Sequence, residues 1–333
     1  MGAGGMDRVG IVGGGAWGTA LATIAAAAGA TMLWAHEADV VAAINHDHRN
    51  PAFLPGVDLD PAIRAVDDMA AVAACDVVLL VAPAQYLRTV AAALAPTLPA
   101  ATPVVICAKG IEQQTGLLMS EVVAEILPDR PLALLSGPTF AAEVARGLPT
   151  AITLACADAE LGRGLVQRLG RPTFRPYLSA DVIGAEIGGA VKNVLAIACG
   201  IVAGRRLGDN ARAALITRGL AEMLRLGRAK GALPETLMGL SGLGDLVLTC
   251  TGATSRNYSL GVALGEGRSL AAIQAGRRSV AEGVDTAPAV VQLAARLGVE
   301  MPISAAVAAI LHGGAGIDDA IAQLLARPFI NEA

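Results

Sequence analysis

Aromatic residues make up only 3% of this 333-residue chain, and charged residues only 16%. So few rings argue against a platform on which nucleic-acid bases could stack. A net charge of −4 and a pI near 5.6 argue equally against a basic nucleic-acid-binding face. Scarce charge beside 54% hydrophobic residues excludes a disordered chain. The length suggests about two domains, with ample apolar surface for a core.

Cysteine is also sparse, with five residues at positions 75, 107, 156, 199 and 250. Their number is odd, none are close in sequence, and no CxxC occurs, which disfavours both a disulfide framework and a zinc site. All five read as small buried hydrophobes in a reducing compartment. Leucine-rich spans are missing as well. Positions 9–35 carry no charge for 27 residues but contain six glycines, and the next such run, 89–108, is broken by Pro96, Pro99 and Pro103. Neither pattern is a transmembrane span, and no basic region precedes an apolar core and cleavage site. A cytoplasmic protein without a membrane span is expected. Residues 1–6 read as a disordered extension, with Met6 as an alternative start.

The first half alternates apolar runs with helical segments. Strands are expected at 8–12, 31–35, 76–82, 103–107, 132–136 and 150–155, and helices at 17–28, 84–95 and 116–127. Continuously apolar strands alternating with helices predict an α/β domain with a mostly parallel, doubly wound sheet. After about residue 178 the pattern turns helical, with helices expected at 181–203 (Ser179 as a possible N-cap), 211–230, 284–297 and 304–311. The division expected is therefore an α/β domain over 1–178 and an all-α domain over 179–333.

The first motif is Gly13-Gly14-Gly15-Ala16-Trp17-Gly18, which follows an apolar strand and opens a helix. It fits G-x-G-x-x-G. Gly13 permits the tight turn, Gly15 leaves room for a pyrophosphate, and Gly18 lets helix and strand pack closely. The helix N-terminus offers N–H groups and a positive dipole end to the phosphates. Alone the hexapeptide is weak evidence, equally a glycine-rich turn; its strand–helix context strengthens it. A carboxylate about 20 residues on would hold the ribose of NAD. Glu37 stands slightly late, and His36 sits where a 2′-phosphate is tolerable, so both NAD and NADP stay open.

The chain has three lysines against 22 arginines. A lysine in an apolar setting invites a reason that arginine does not meet, since lysine loses its proton readily on desolvation and arginine does not. Lys230, at the end of an expected helix, reads as a partner of the helix dipole. Lys109 follows an apolar strand at its carboxyl end, where open α/β sheets bind ligands. Lys192 has almost wholly apolar neighbours apart from Asn193, so it needs a partner or a lowered pKa. The alternative for either is a chance surface lysine, or one that snorkels to water. A lysine of lowered pKa suits proton transfer to a carbonyl oxygen during hydride transfer, and a second lysine nearby would depress it further and polarise the same oxygen. Downstream, Ser255-Arg256-Asn257 offers hydroxyl, guanidinium and amide donors to a phosphate, or a helix start capped by Ser255.

With these segments assembled, the chain resembles the bacterial NAD(P)-dependent glycerol-3-phosphate dehydrogenases from about residue 8 to 327. The likeness is carried by GGGAWGTALA (13–22), CAKGIEQQT (107–115), LSGPTFAAE (135–143), GGAVKNVLA (188–196), NARAALITR (210–218), GLGDLVLTCT (242–251), SRN (255–257) and VAEGVDT (280–286). The resemblance implies reversible reduction of dihydroxyacetone phosphate to sn-glycerol 3-phosphate for phospholipid synthesis, with NAD or NADP. It implies Lys192 as proton donor and acceptor. Lys109, Gly137, Thr139, Asp245, Ser255, Arg256 and Asn257 match substrate-side positions. Ala16, Trp17, His36, Lys109, Ala141, Arg256, Val280 and Glu282 match cofactor positions. Ala16 and His36 depart from the serine and arginine common in the family. A Rossmann domain, then a helical substrate and dimerisation domain, and a homodimer are implied too.

Other candidates are weaker. His46-Asp47-His48 lacks a third ligand and reads as a solvated loop, His312 as a capping residue, and Arg277-Arg278 as a turn; no metal is expected. The nicotinamide is expected at the sheet's carboxyl edge, between the domains. Two rival readings are another two-domain hydroxy-acid dehydrogenase and a dinucleotide-sensing protein without turnover.

Overall fold

A computed structural model describes residues 6–275 and 281–328. The α/β half runs β1 (Val9–Val12), α1 (Ala16–Ala26), β2 (Thr31–Trp34), α2 (Ala38–Asp47), β3 (Arg49–Asn50), β4 (Leu54–Asp58), β5 (Ile63–Val66), α3 (Met69–Ala73), β6 (Val77–Leu80), α4 (Leu87–Leu94), β7 (Val104–Ile106), α5 (Met119–Ile126), β8 (Leu132–Ser136), α6 (Ala141–Ala145), β9 (Thr150–Ala155), α7 (Ala159–Leu169) and β10 (Phe174–Ser179). The rest is helical, with α8 (Val182–Gly204), α9 (Asp209–Lys230), α10 (Pro234–Leu237), a π-turn over Leu240–Gly244, α11 (Asp245–Thr251), α12 (Arg256–Gly265), α13 (Leu270–Ala275), α14 (Gly283–Arg296), α15 (Pro302–His312) and α16 (Ile317–Leu325).

Eight strands form one sheet in the order β10-β9-β8-β7-β6-β1-β2-β5, parallel except where β8 meets β9. From β1 the chain winds to β2 and β5, then returns to β6 on the other side of β1. That reversal places a topological switch point at the carboxyl ends of β1 and β6, where open sheets hold ligands. Strands β1, β6 and β7 are buried at every position, as sheets covered on both faces require. One apolar layer gathers Ile11, Leu21 and Leu33, the opposite layer Val12, Leu80 and Ile106. A third core surrounds α8.

The glycine loop is closed by contact between backbones. A Cβ on Gly18 would lie 1.8 Å from the carbonyl oxygen of Gly13, which itself has φ +128°. Gly18→Ala is therefore expected to lose about 1–3 kcal/mol of stability, or more if the loop does not yield. Thermal unfolding measures this, and an unchanged Tm would show a loop that shifts freely.

Helix α8 is buried from Gly184 to Val202. It is the one helix among the described residues long and apolar enough to cross a membrane, yet 89% of its apolar window is buried inside the fold. Glycines bring it against α12: a Cβ on Gly200 would lie 2.1 Å from the backbone carbonyl oxygen of Tyr258, and one on Gly261 2.1 Å from that of Ile197. This close crossing sets Lys192 and Asn193 of α8 near the start of α12.

Several expectations need correction. Asp181, not Ser179, caps α8, accepting from the Gly184 N–H at 2.8 Å, because Ser179 closes β10. His46 and Asp47 lie in the last turn of α2, and His48 ends it in the left-handed conformation (φ 51°), so this segment is a helix end rather than a loop. Met6 packs against the sheet's core, with its carbonyl bonded by Arg168 at 2.5 Å, so order begins before the expected extension ends. Residues 1–5, Arg277, Arg278 and Val280 lie outside the described residues. His312 ends α15, but its Nε2 meets the Val284 carbonyl of α14 at 2.9 Å instead of capping its own helix. Lys230, in the last turn of α9, also pairs with Glu121 at 2.6 Å. All five cysteines are free and buried.

Candidate active site

Lys109 follows β7 and reaches across to the helical half. Its Nζ donates to the Gly137 carbonyl at 2.9 Å and to Asp245 Oδ2 at 2.8 Å. Lys192, mid-way along α8, donates to the other carboxylate oxygen, Asp245 Oδ1, at 2.8 Å and to Thr249 Oγ1 at 2.9 Å. One carboxylate thus bridges both ammoniums. Asp245 opens α11, where the helix dipole favours a negative charge. Thr249, one turn later on the same face, completes the clasp around Lys192.

The electrostatics follow from burial. Asp245 is 1% exposed and Lys192 8%. Burial alone would raise the Asp245 carboxyl, but the ammoniums of Lys109 and Lys192 outweigh it and hold the group below its usual range. Burial lowers Lys192 to about 8; Asp245 opposes that fall and Lys109 adds to it. An ammonium has three N–H donors. Among the described residues Asp245 and Thr249 take two from Lys192, and Gly137 and Asp245 take two from Lys109. Each keeps one for a ligand. Cys250, beside Thr249, is hydrogen-bonded to Cys199, and that bond together with burial holds its thiol well above the usual value. The two cysteines are remote in sequence, and the raised Cys250 thiol offers no nucleophile.

The Gly137 carbonyl also accepts from Thr139 Oγ1 at 3.3 Å, and Ala141 begins α6 close behind. Asn257 is committed to the protein: its amide donates to Asn193 Oδ1 at 2.9 Å and its oxygen accepts from the Gly283 N–H at 3.0 Å. Ser255 caps α12 through the Tyr258 N–H at 3.2 Å. Arg256, exposed at the first position of α12, lowers the nearby carboxyl of Glu282, which burial nevertheless raises to about 7.

The glycine loop forms a second cluster. Gly13 donates its N–H to the Trp34 carbonyl at 3.0 Å, tying the loop to the end of β2. His36 follows, exposed, with its ring 6.2 Å from that of Trp34. Ala16 and Trp17 open α1 half-buried, and the buried Trp17 Nε1 has no hydrogen-bond partner among the described residues. A Cβ on Gly15 would meet nothing within 4 Å. Open space beside a helix N-terminus at the switch point fits a dinucleotide's pyrophosphate. The segment after β6 links the clusters: a Cβ on Gly13 would lie 2.9 Å from the Val81 carbonyl, and one on Gly110 2.6 Å from the Ala84 side chain.

Residues 8–162 match the family model for the NAD-dependent glycerol-3-phosphate dehydrogenase N-terminus, and 181–322 that for its C-terminus. The chain belongs to the NAD-dependent glycerol-3-phosphate dehydrogenase family. It is 61% identical over 325 residues to the glycerol-3-phosphate dehydrogenase [NAD(P)+] of Rhodospirillum rubrum, covering 97% of this chain and 93% of that one. The Caulobacter vibrioides enzyme of the same name is 59% identical over 328 residues, covering 98% and 99%. The crystal structure of the Coxiella burnetii glycerol-3-phosphate dehydrogenase matches with a TM-score of 0.93 at 40% identity, covering 96% of this chain and 99% of that one.

Thr249 and Asn193 join this cluster through Lys192 and Asn257, although neither was assigned a role from sequence. Thr249 was signalled only by its spacing of four from Asp245 on an α-helix, and Asn193 by being the polar neighbour of Lys192.

Proposed function

We propose that this protein catalyses the reversible reduction of dihydroxyacetone phosphate to sn-glycerol 3-phosphate with NADH or NADPH, a product used in phospholipid synthesis. The observation that carries the reading is the single buried carboxylate of Asp245 shared by Lys109 and Lys192. A bound nicotinamide supplies the hydride. Lys192 donates its third N–H proton to the substrate's carbonyl oxygen, which becomes the hydroxyl of the product. In reverse, neutral Lys192 takes that proton back. A group with pKa about 8 is suited to both directions. Lys109 shares the developing negative charge on oxygen, and the cluster of two ammoniums and one carboxylate stays net positive toward it.

Arg256 is assigned to the substrate phosphate. Asn257 contributes its remaining N–H or holds the start of α12 in place, and Ser255 holds that helix start through its cap. Gly137 and Thr139 shape the substrate side. Gly13, Gly15, Ala16, Trp17, Gly18, His36, Ala141 and Glu282 are assigned to the cofactor. Residues through 178 bind the dinucleotide in this reading, and those from 179 complete the substrate site. The homodimer that the family resemblance implies is assigned to the helical half. Five free thiols support a cytoplasmic setting.

The deciding assay follows reduced-nicotinamide absorbance with dihydroxyacetone phosphate against unphosphorylated dihydroxyacetone, using NADH and NADPH in turn. Turnover is expected with the phosphate ester and little without it. Equal rates on both compounds, or none, would reject the reading. Arg256→Ala is expected to raise KM for the phosphate ester about tenfold to a hundredfold through loss of a charged phosphate contact. An unchanged KM would remove Arg256 from that role.

A further inference from the structure

Three consecutive glycines, Gly13 to Gly15, give the loop before α1 wide conformational freedom. A loop that must present a particular N–H to a ligand needs something to fix its peptide planes. The structure supplies that from a separate element. Asn50, fully buried on β3, donates its amide to the Gly14 carbonyl at 2.8 Å and to Thr19 Oγ1 at 2.8 Å. The Thr19 hydroxyl approaches the same carbonyl at 3.3 Å, and Asn50 Oδ1 accepts from the Phe53 N–H at 3.2 Å.

In a trans peptide the C=O and the following N–H point in opposite directions, and no cis bond occurs among the described residues. Drawing the Gly14 oxygen inward therefore turns the Gly15 N–H the opposite way, and a Cβ on Gly15 would meet nothing within 4 Å. Asn50 is aimed there by its setting. The β3–β4 ribbon has a register shift between Arg49 and Asn50, of the kind that re-aims a side chain. Left-handed His48 precedes it, and Arg49 is anchored to Asp58 at 2.7 Å.

We propose that Asn50 is a positioning residue for the cofactor: its amide locks the Gly14–Gly15 peptide so that the Gly15 N–H faces the dinucleotide's pyrophosphate. This rests on the dinucleotide-binding part of the function proposed above, and not on the identity of the substrate.

The test uses the full chain with Asn50→Ala and, separately, Thr19→Val. Calorimetric titration with NADH and NADPH in the absence of substrate gives Kd, thermal unfolding of the ligand-free protein gives Tm, and kcat is read at saturating cofactor. For Asn50→Ala, Kd for both dinucleotides is expected to rise about 10- to 100-fold, with kcat at saturation within about threefold of the parent. Thr19→Val should weaken binding in the same sense by about threefold to tenfold, and it carries the test if Asn50→Ala does not fold. A folded variant whose Tm falls while its Kd stays within about twofold overturns the proposal, because Asn50 is then only a buried structural amide. A parent protein that binds dinucleotide but does not reduce dihydroxyacetone phosphate would sink the substrate reading and leave this one standing. Absence of dinucleotide binding by the parent would overturn both.

Discussion

Lys192→Ala is expected to bind dinucleotide with nearly the parent Kd and to lose about 10²–10⁴-fold in kcat in both directions, the usual worth of a positioned acid–base group. The substitution removes an ammonium that is 8% exposed and held by Asp245 and Thr249, so no neighbouring group inherits its place. Lys192→Arg should not rescue the enzyme, since a guanidinium stays protonated and does not accept the proton in the oxidative direction. The parent enzyme's pH profile tests the same assignment. Reduction needs protonated Lys192, so its rate should fall as pH rises through about 8; oxidation needs the neutral amine and should rise through the same region. Steady-state kinetics in both directions, with calorimetric cofactor titration, check these outcomes. A kcat near that of the parent would remove Lys192 from the chemistry.

Asp245→Asn should be nearly as severe. It leaves the buried ammonium of Lys192 and the half-buried one of Lys109 without their shared anion, and breaking a buried ion pair by removing one partner costs about 3–5 kcal/mol. It also changes the acid–base group. Burial and Lys109 both push the Lys192 pKa down, and Asp245 is the charge that opposes them. With that charge gone the pKa falls further. The decline of the reduction rate with pH should then begin at lower pH than in the parent, and kcat near neutrality should drop with the protonated fraction. Urea unfolding reads the stability, and kcat against pH reads the shift. An unmoved profile in a folded variant would show that Asp245 does not set the state of Lys192.

Legibility differed along the chain for identifiable reasons. Strands β8 and β9 fall where the apolar runs predicted, at Leu132–Ser136 and Thr150–Ala155, because strands covered on both faces need continuous hydrophobic sequence. Strand β10, FRPYLS, went unseen. It is an edge strand carrying Pro176 and exposed Tyr177 and Leu178, a composition edges tolerate and interiors do not. Strand β5 went unseen as well, being the other edge, only four residues long and interrupted by exposed Arg64. In the site, Lys109 and Lys192 stood out because lysine is rare here and both sit in apolar sequence. The commitment of Asn257 to Asn193 and Gly283 had no counterpart in local spacing.

Residue order alone was enough for what depends on neighbours a few positions apart: the glycine turn between β1 and α1, the long apolar helix α8, and the family's motifs. It could not say that Asp245 serves two ammoniums, because those partners lie 53 and 136 residues away and meet only when α11 and α8 close over the carboxyl edge of the sheet. Nor could it set the proton affinity of Lys192. That depends on how much water the packed helices exclude and how near the opposite charge is held, which are properties of distance in the folded protein and not of position along the chain.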